Sequence, residues 1–365
     1  MEEKSYIINR LLQGKFTLIA EIGVNYYDIA RERAITPMEA AKLMIDEAAH
    51  AGIHAVKFQT YRAQTLAAAD SPSYWDLTEE STRSQRELFK KFDSFGYPEY
   101  LKLSAHAKAA GIEFLSTPFD FESADYLNEM MEVYKISSSD LSNIPFIEHQ
   151  AKKDKPILLS TGASNLPEIE RAVDTIRKFN ERPLALLHCV LQYPTHIENA
   201  NLNKIITLKE QFPDLIIGYS DHTKPTPEFE VITTAYNLGA LCVEKHFTLD
   251  KTLKGNDHYH AMDPDDARQI LSRIEHMDVI RGSYELSCLD CESAARENAR
   301  RSIVTAVDIA AGTVITEQML TFKRPGKGIS PDRMEEVCGK VAAVDLKEDT
   351  ILMEDMLKEA VEEDM

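Results

Sequence analysis

The chain has 365 residues, too many for one small domain and suited to one large domain with a small companion. Hydrophobic residues make up 44%, enough for a sizeable core, and charged residues 28%, ordinary for a soluble protein. A formal net charge of -19 argues against nucleic acid or an anionic membrane as a principal partner, because both would be repelled, so an anionic substrate needs a local cluster of Lys and Arg.

The amino terminus, Met-Glu-Glu-Lys, lacks the basic and apolar regions of a signal peptide, and no uninterrupted apolar run is long enough to span a bilayer. Five cysteines (Cys189, Cys242, Cys288, Cys291 and Cys338) lack framework spacing, so reduced thiols and a cytoplasmic location are expected. Cys288 and Cys291 form a lone CxxC, half a zinc site at best.

Short apolar runs then recur at 17–23, 55–59, 113–117, 133–137, 156–160, 184–189, 216–220 and 241–246. Each is bounded by polar turns, as a buried parallel sheet requires. Helical patterns separate them at 37–51, 98–110, 167–179, 200–211, 227–238 and 264–280. Thr36 is the expected N-cap of the first, with Pro37 at its first position, and Gly111 closes the second. Strands alternating with helices predict a (β/α)8 TIM barrel over residues 1–282. An open doubly wound sheet is the rival, but it would not explain a polar residue at the end of every strand. Residues 283–300 read as a charged, helical linker. Residues 301–365 read as a small β-rich domain, with strands at 302–307, 312–315 and 341–344, a turn at Arg324-Pro-Gly-Lys-Gly, and an acidic helical tail from Met353.

Barrel chemistry sits at the C-terminal ends of the strands. There the chain places Glu21, Lys57 with Gln59, Thr117, Lys135 with Ser138, Ser160 with Thr161, His188, Asp221 with His222, and Glu244 with His246. His222 and His246 end adjacent strands, which lie about 4.8 Å apart, and so form a candidate metal pair for Mn²⁺, Fe²⁺ or Zn²⁺. Asp221 and Glu244 are expected to orient their rings. Lys57 and Lys135, with Ser138, Ser160 and the Thr161-Gly162 backbone, form a candidate phosphate and carboxylate cradle. Either lysine could instead form a Schiff base. Glu21 suits sugar hydroxyls or proton transfer, or pairs with Lys57. Tyr193, Asp257 and His258 are weaker candidates. His188 and Cys189 are expected to pack inside the barrel, and Met130 and Met131 in the core.

In order along the chain, Ala-Glu-Ile-Gly-Val-Asn (20–25), Ala-Val-Lys-Phe-Gln (55–59), Ser-Thr-Pro-Phe-Asp (116–120), Tyr-Lys-Ile (134–136), Leu-Ser-Thr-Gly (159–162), Leu-His-Cys (187–189), Tyr-Pro-Thr (193–195), Ser-Asp-His-Thr (220–223) and Glu-Lys-His-Phe (244–247) resemble the motifs of the sialic acid synthase family. Arg300-Arg-Ser, 323–329 and Gly339-Lys resemble its C-terminal antifreeze-like SAF domain. The resemblance implies a metal-dependent condensation of phosphoenolpyruvate with N-acetylmannosamine or a related N-acetylated hexose. The product would be N-acetylneuraminate, or legionaminate or pseudaminate. It also implies a domain-swapped homodimer. Carried over, His222 and His246 would hold the metal, with Mn²⁺ favoured and Mg²⁺, Co²⁺, Fe²⁺ or Zn²⁺ as alternatives. Lys57, Lys135, Ser138 and Ser160 would hold phosphoenolpyruvate. Glu21, Gln59, Tyr193, Glu244, Asp257 and the partner's Arg324 would lie near the sugar. The catalytic set would be Glu21, Lys57, Lys135, His222, Glu244 and His246.

Two segments depart from the family pattern. Tyr26 and Tyr27 stand where it usually has His and then a small polar residue or Gly. Val190 and Leu191 stand where Thr and a small polar residue or Asn usually help bind phosphate, and Gln192 is a candidate substitute. Two rival functions remain: a Schiff-base aldolase, and a non-catalytic sugar-binding protein.

Overall fold

The computed structural model describes residues 3–255 and 257–360. The chain divides into two compact units, Met1–Arg281 and Gly282–Met365. In the first, eight strands alternate with helices: β1 (Thr17–Gly23), β2 (Ala55–Thr60), β3 (Glu113–Pro118), β4 (Tyr134–Ile136), β5 (Ile157–Ser160), β6 (Leu184–Cys189), β7 (Ile216–Asp221) and β8 (Cys242–His246). Their hydrogen-bonded order is β3-β2-β1-β8-β7-β6-β5-β4, with every pair parallel. The two end strands, β3 and β4, lie side by side, so the sheet nearly closes into a TIM-type barrel.

Strand alternation sorts each run into two faces. Ile19, Ala55, Leu115, Val133, Leu158, Ala185, Leu187 and Cys242 fill the interior. Ile7, Ile8 and Leu11 of the helix Tyr6–Leu12 join that cluster and plug the bottom. This helix is an element the sequence pattern did not announce. Ser5 caps it by accepting from the Ile8 N–H, and the Ile7 N–H donates to Glu113 at 2.7 Å. The opposite faces, with Leu18, Ala20, Ile22, Leu159, Leu186 and Val243, pack beneath the helices. Met130 and Met131 belong to that outer core.

The helix Pro37–His50 opens on a full capping box between Thr36 and Glu39, as its sequence predicts. Two helices start later than expected. Asn203–Gln211 follows a short turn at Ile197–Asn199, and Glu230–Asn237 follows Phe229, whose φ of 50° breaks the helical run from Pro227. No helix of the described residues is long and apolar enough to cross a membrane.

In the second unit, β9 (Ser302–Thr305) pairs antiparallel with β10 (Leu320–Lys323), and β11 (Val341–Ala342) with β12 (Leu357–Lys358). Ile303, Ile309, Ile315, Ile329, Leu346 and Leu352 contribute to its small core. Two expectations change here. The 312–315 run makes only a bridge, Val314 to Val341, and the stretch after Met353 forms a short turn and then β12 rather than a helix. Residues 361–365 of the expected tail lie outside the described residues. The linker is partly folded: its helix Ser293–Ala299 meets the Arg324–Gly328 turn, where the Gly326 N–H donates to Glu297 O at 2.8 Å and Lys327 pairs with Glu297 at 3.1 Å.

Candidate active site

The same alternation that fills the barrel floor with aliphatic residues sends Glu21, Lys57, Gln59, Lys135, Ser160, Glu244 and His246 into one cavity at the C-terminal mouth. Ser138, Tyr193, Ser220 and His222 join them from the strand ends and loops. Every proposed phosphoenolpyruvate-binding residue therefore faces the same space as the two proposed metal-binding histidines.

The charged centre is a buried network. Lys57 Nζ lies 2.5 Å from Glu21 Oε2 and 3.7 Å from Glu244 Oε2, and donates to Thr117 Oγ1 at 3.0 Å. Lys135 Nζ lies 3.5 Å from Glu244 Oε1. Gln59 donates to Glu21 Oε1 at 2.9 Å, and Ser220 to Glu244 Oε1 at 3.0 Å. Burial opposes the Lys57 ammonium, but Glu21 and Glu244 together raise its pKa. Burial lowers Lys135, against the pull of Glu244. The two carboxylates separate. Burial outweighs Lys57 and pushes Glu21 up, whereas Lys135 and Lys57 overcome burial and hold Glu244 down. Glu21 is thus the carboxylate that takes a proton first.

Beside this network, the Gly162 N–H donates to Ser138 Oγ at 2.9 Å. Ser160 Oγ is buried with no hydrogen-bond partner among the described residues, a donor left facing the cavity. Leu191 lines the same wall. Gln192, the candidate substitute for Val190 and Leu191, lies off the cavity lining, its Oε1 accepting from Asn199 Nδ2 at 2.9 Å. Val190 acts through its backbone, its carbonyl accepting from His222 Nδ1 at 2.9 Å. In the neutral ring that bond places the proton on Nδ1 and the lone pair on Nε2. Burial opposes the charged ring, but Cys189 and this bond outweigh it and raise the His222 pKa.

His222 and His246 stand with ring centroids 5.4 Å apart. The expected orienting carboxylates are elsewhere. Asp221 points to the outer face, where it accepts from Lys245 at 2.6 Å, from the Thr223 N–H at 2.8 Å and from Tyr219 at 3.0 Å. Glu244 serves the lysines and Ser220. The reason is parity: Asp221 is one residue from both Ser220 and His222, so it faces the other way. For the same reason His188 lies outside the barrel interior, stacked on Tyr219 at 5.5 Å and bonded to Ala200 O at 2.7 Å, while Cys189 faces in.

The loop after β8 brings Asp257 and, unforeseen from the sequence, His260. Among the described residues, one trio of His, Cys, Asp or Glu side chains places its ligand atoms within 4.8 Å of one another: His246, Asp257 and His260, all buried. Burial, then its imidazole neighbours, holds His246 well below its usual pKa, and likewise His260, so both rings stay neutral. Burial and the Glu21 charge push Asp257 up to about 6. His258 is used structurally, bonded to Thr248 at 2.7 Å and Asp28 at 3.2 Å. The only signal for His260 was its spacing of three from Asp257.

Tyr26 does not enter the site. It is fully buried, stacked on Tyr27 at 4.5 Å and Phe95 at 4.9 Å. Arg324 is exposed on the turn after β10 of the second unit. A side pocket shares Gln59, Tyr193 and His246 with the main cavity and is walled by Tyr61, Tyr74, Phe89, Phe92, Asp28 and Asp257. Among the described residues, no Lys or Arg lines it.

Residues 44–285 match the NeuB family and residues 300–358 the SAF domain. The N,N'-diacetyllegionaminic acid synthase of Campylobacter jejuni is 36% identical over 93% of this chain and 99% of its own. The N-acetylneuraminate-9-phosphate synthase of Mus musculus is 30% identical over 93% and 92%. The crystal structure of the N-acetylneuraminic acid (sialic acid) synthetase of Leptospira borgpetersenii, in complex with citrate, superposes with a TM-score of 0.67 at 33% identity, covering 77% of this chain and 90% of that one. With the barrel, the small antiparallel domain and these relatives together, the chain belongs to the NeuB family of sialic acid synthases and carries a C-terminal SAF domain.

Proposed function

We propose that this protein joins phosphoenolpyruvate to the open-chain aldehyde of an N-acetylated hexose, giving a 2-keto-3-deoxy nonulosonate and phosphate. The observation that carries the reading is a single cavity with two chemistries: two buried ammonium groups with Ser138 and Ser160, and two imidazoles on neighbouring strand ends. C3 of phosphoenolpyruvate bonds to the aldehyde carbon, whose oxygen gains a proton. Water adds at C2 and gives up one proton, balancing the one gained by the aldehyde oxygen. The C2–O bond to phosphate then breaks as the remaining C2 hydroxyl proton passes to the leaving phosphate and C2 becomes a ketone.

Lys57 and Lys135 hold the phosphate and carboxylate charges, and Ser160 Oγ donates to the same anion. Because Lys57, Lys135, Glu21 and Glu244 sum to zero charge, an entering anion displaces a carboxylate or leaves it protonated. Glu21, already pushed up, takes that proton and is poised to exchange it during the reaction. Gln59, Tyr193, Glu244 and Asp257 flank the sugar. The donor set suits a divalent cation, Mn²⁺ by preference: the Nδ1 bond of His222 turns its Nε2 to acceptor duty in the neutral ring, and His246 Nδ1 is buried without a hydrogen-bond partner among the described residues. Such a cation supplies Lewis acidity to the aldehyde oxygen. The proposal includes a domain-swapped homodimer in which Arg324 of the partner subunit reaches the sugar. It also includes a cytoplasmic location, where phosphoenolpyruvate is made.

The side pocket favours a sugar without phosphate on its terminal carbon, since its walls are aromatic, its charges are the carboxylates Asp28 and Asp257, and the described residues of its own subunit offer no cation there, which leaves the partner's Arg324 to the sugar's amide or hydroxyls. Phosphate release is measured with phosphoenolpyruvate and N-acetylmannosamine, its 6-phosphate, or a 2,4-diacetamido-2,4,6-trideoxyhexose. Release is expected with an unphosphorylated sugar. Preference for the 6-phosphate overturns the sugar reading alone. No release with any sugar, or borohydride trapping of a lysine adduct with activity persisting in chelator, overturns the reaction.

A further inference from the structure

His260 is fully buried, and neither ring nitrogen has a hydrogen-bond partner among the described residues. A neutral imidazole carries one donor and one acceptor, and buried polar atoms are rarely left unmatched. Its ring lies 4.8 Å from that of His246, whose Nδ1 is also buried and unpartnered and stands 3.7 Å from Asp257 Oδ2. Three ligand-capable side chains thus converge, and two of them carry ring nitrogens that no described residue hydrogen-bonds.

We infer that His260 is a metal ligand, joining with Asp257 the cation site proposed for His222 and His246. The inference rests on the proposal of a divalent cation held by His222 and His246, and adds to that pair a ligand from the loop after β8. Metal–nitrogen and metal–oxygen bonds of about 2.0–2.2 Å require donor atoms to close from their present spacing by small side-chain rotations. His222, with its ring 5.4 Å from His246 and 6.1 Å from His260, remains within reach as a further donor. Two neutral imidazoles and one carboxylate bind Mn²⁺, Fe²⁺, Co²⁺ or Zn²⁺ more tightly than two imidazoles and water. Asp257 then has a second partner besides the sugar.

Metal-free protein is titrated calorimetrically with Mn²⁺ and with Zn²⁺, and Mn²⁺-loaded samples are read by electron spin-echo modulation for coupled nitrogens. His260→Phe keeps an aromatic ring and removes both nitrogens. It is expected to weaken metal binding at least tenfold, reduce the number of coupled nitrogens and shrink the rise in melting temperature on metal addition. The metal-free melting temperature should stay level or rise. His260→Ala provides the same readouts if the Phe variant fails to fold. Unchanged affinity and nitrogen coupling in these variants, with binding lost in His246→Ala, overturns the inference and leaves the proposed reaction standing. A wild type that binds neither metal overturns both.

Discussion

Lys57→Met should act on stability and on substrate binding in separable ways. Lys57 Nζ is the cation 2.5 Å from Glu21 and 3.7 Å from Glu244, and all three groups are buried. Removing it leaves Glu21 as an uncompensated buried carboxylate, a change that costs about 3–5 kcal/mol. Without its partner, the Glu21 pKa in the folded state rises further above its unfolded value. That loss is therefore small near pH 4.5 and grows as pH rises toward the new folded value, so the variant should gain relative stability on mild acidification. Glu21→Gln in the same chain removes the stranded charge and should restore most of the loss. Trp75, the single tryptophan, lies in the barrel unit and reports its unfolding in urea. Independently, the Michaelis constant for phosphoenolpyruvate should rise roughly ten- to a hundredfold, the worth of about 1.5–3 kcal/mol for a charge-assisted bond, with that for the sugar much less affected. A single variant within 1 kcal/mol of wild type, or a double variant no more stable than Lys57→Met, would falsify the buried-pair argument.

Three other outcomes are expected. In Gly162→Ala the new Cβ would stand 2.9 Å from Ser138 Oγ and 3.1 Å from Cys189 Sγ. The displaced serine should raise the Michaelis constant for phosphoenolpyruvate about tenfold, the worth of one hydrogen bond, and an unchanged value would remove Ser138 from the anion site. His54 accepts from the Leu18 N–H at 2.9 Å, and burial with the nearby Arg10 charge lowers its pKa to about 4. It stays neutral in the fold while the unfolded chain protonates, so stability is lost as pH falls from 6.5 toward 4, by at most about 3 kcal/mol. His54→Asn should flatten that part of the pH profile in urea titrations, and identical profiles would contradict the assignment. Finally, mixing inactive Arg324→Ala chains with inactive His246→Ala chains should restore activity if the lid is exchanged between subunits. Heterodimers confirmed by mass that stay inactive would refute the exchange.

Much of this protein was legible as a string of residues. Eight apolar runs separated by helical patterns identify the barrel, because a strand buried on both faces has no other composition open to it. The polar residue at each run's end marks the mouth, and Glu21, Lys57, Lys135, Ser160, Glu244 and His246 do share it. The outward turn of Asp221 to Lys245 was also within reach, since side chains two apart share a face and neighbours do not. What only the tertiary structure decided lies where no period operates. Loop backbone after β8 carries no repeat that says which side chain turns inward, so His260 became a candidate ligand only once Asp257 and His246 were placed beside it. Gln192 and Tyr26 were settled the same way, one drawn off by Asn199 and the other by an aromatic cluster. Local pattern determines which elements form and which face of each is apolar. The long-range packing of loops determines which polar atoms are left unmatched, and here those atoms mark the candidate site.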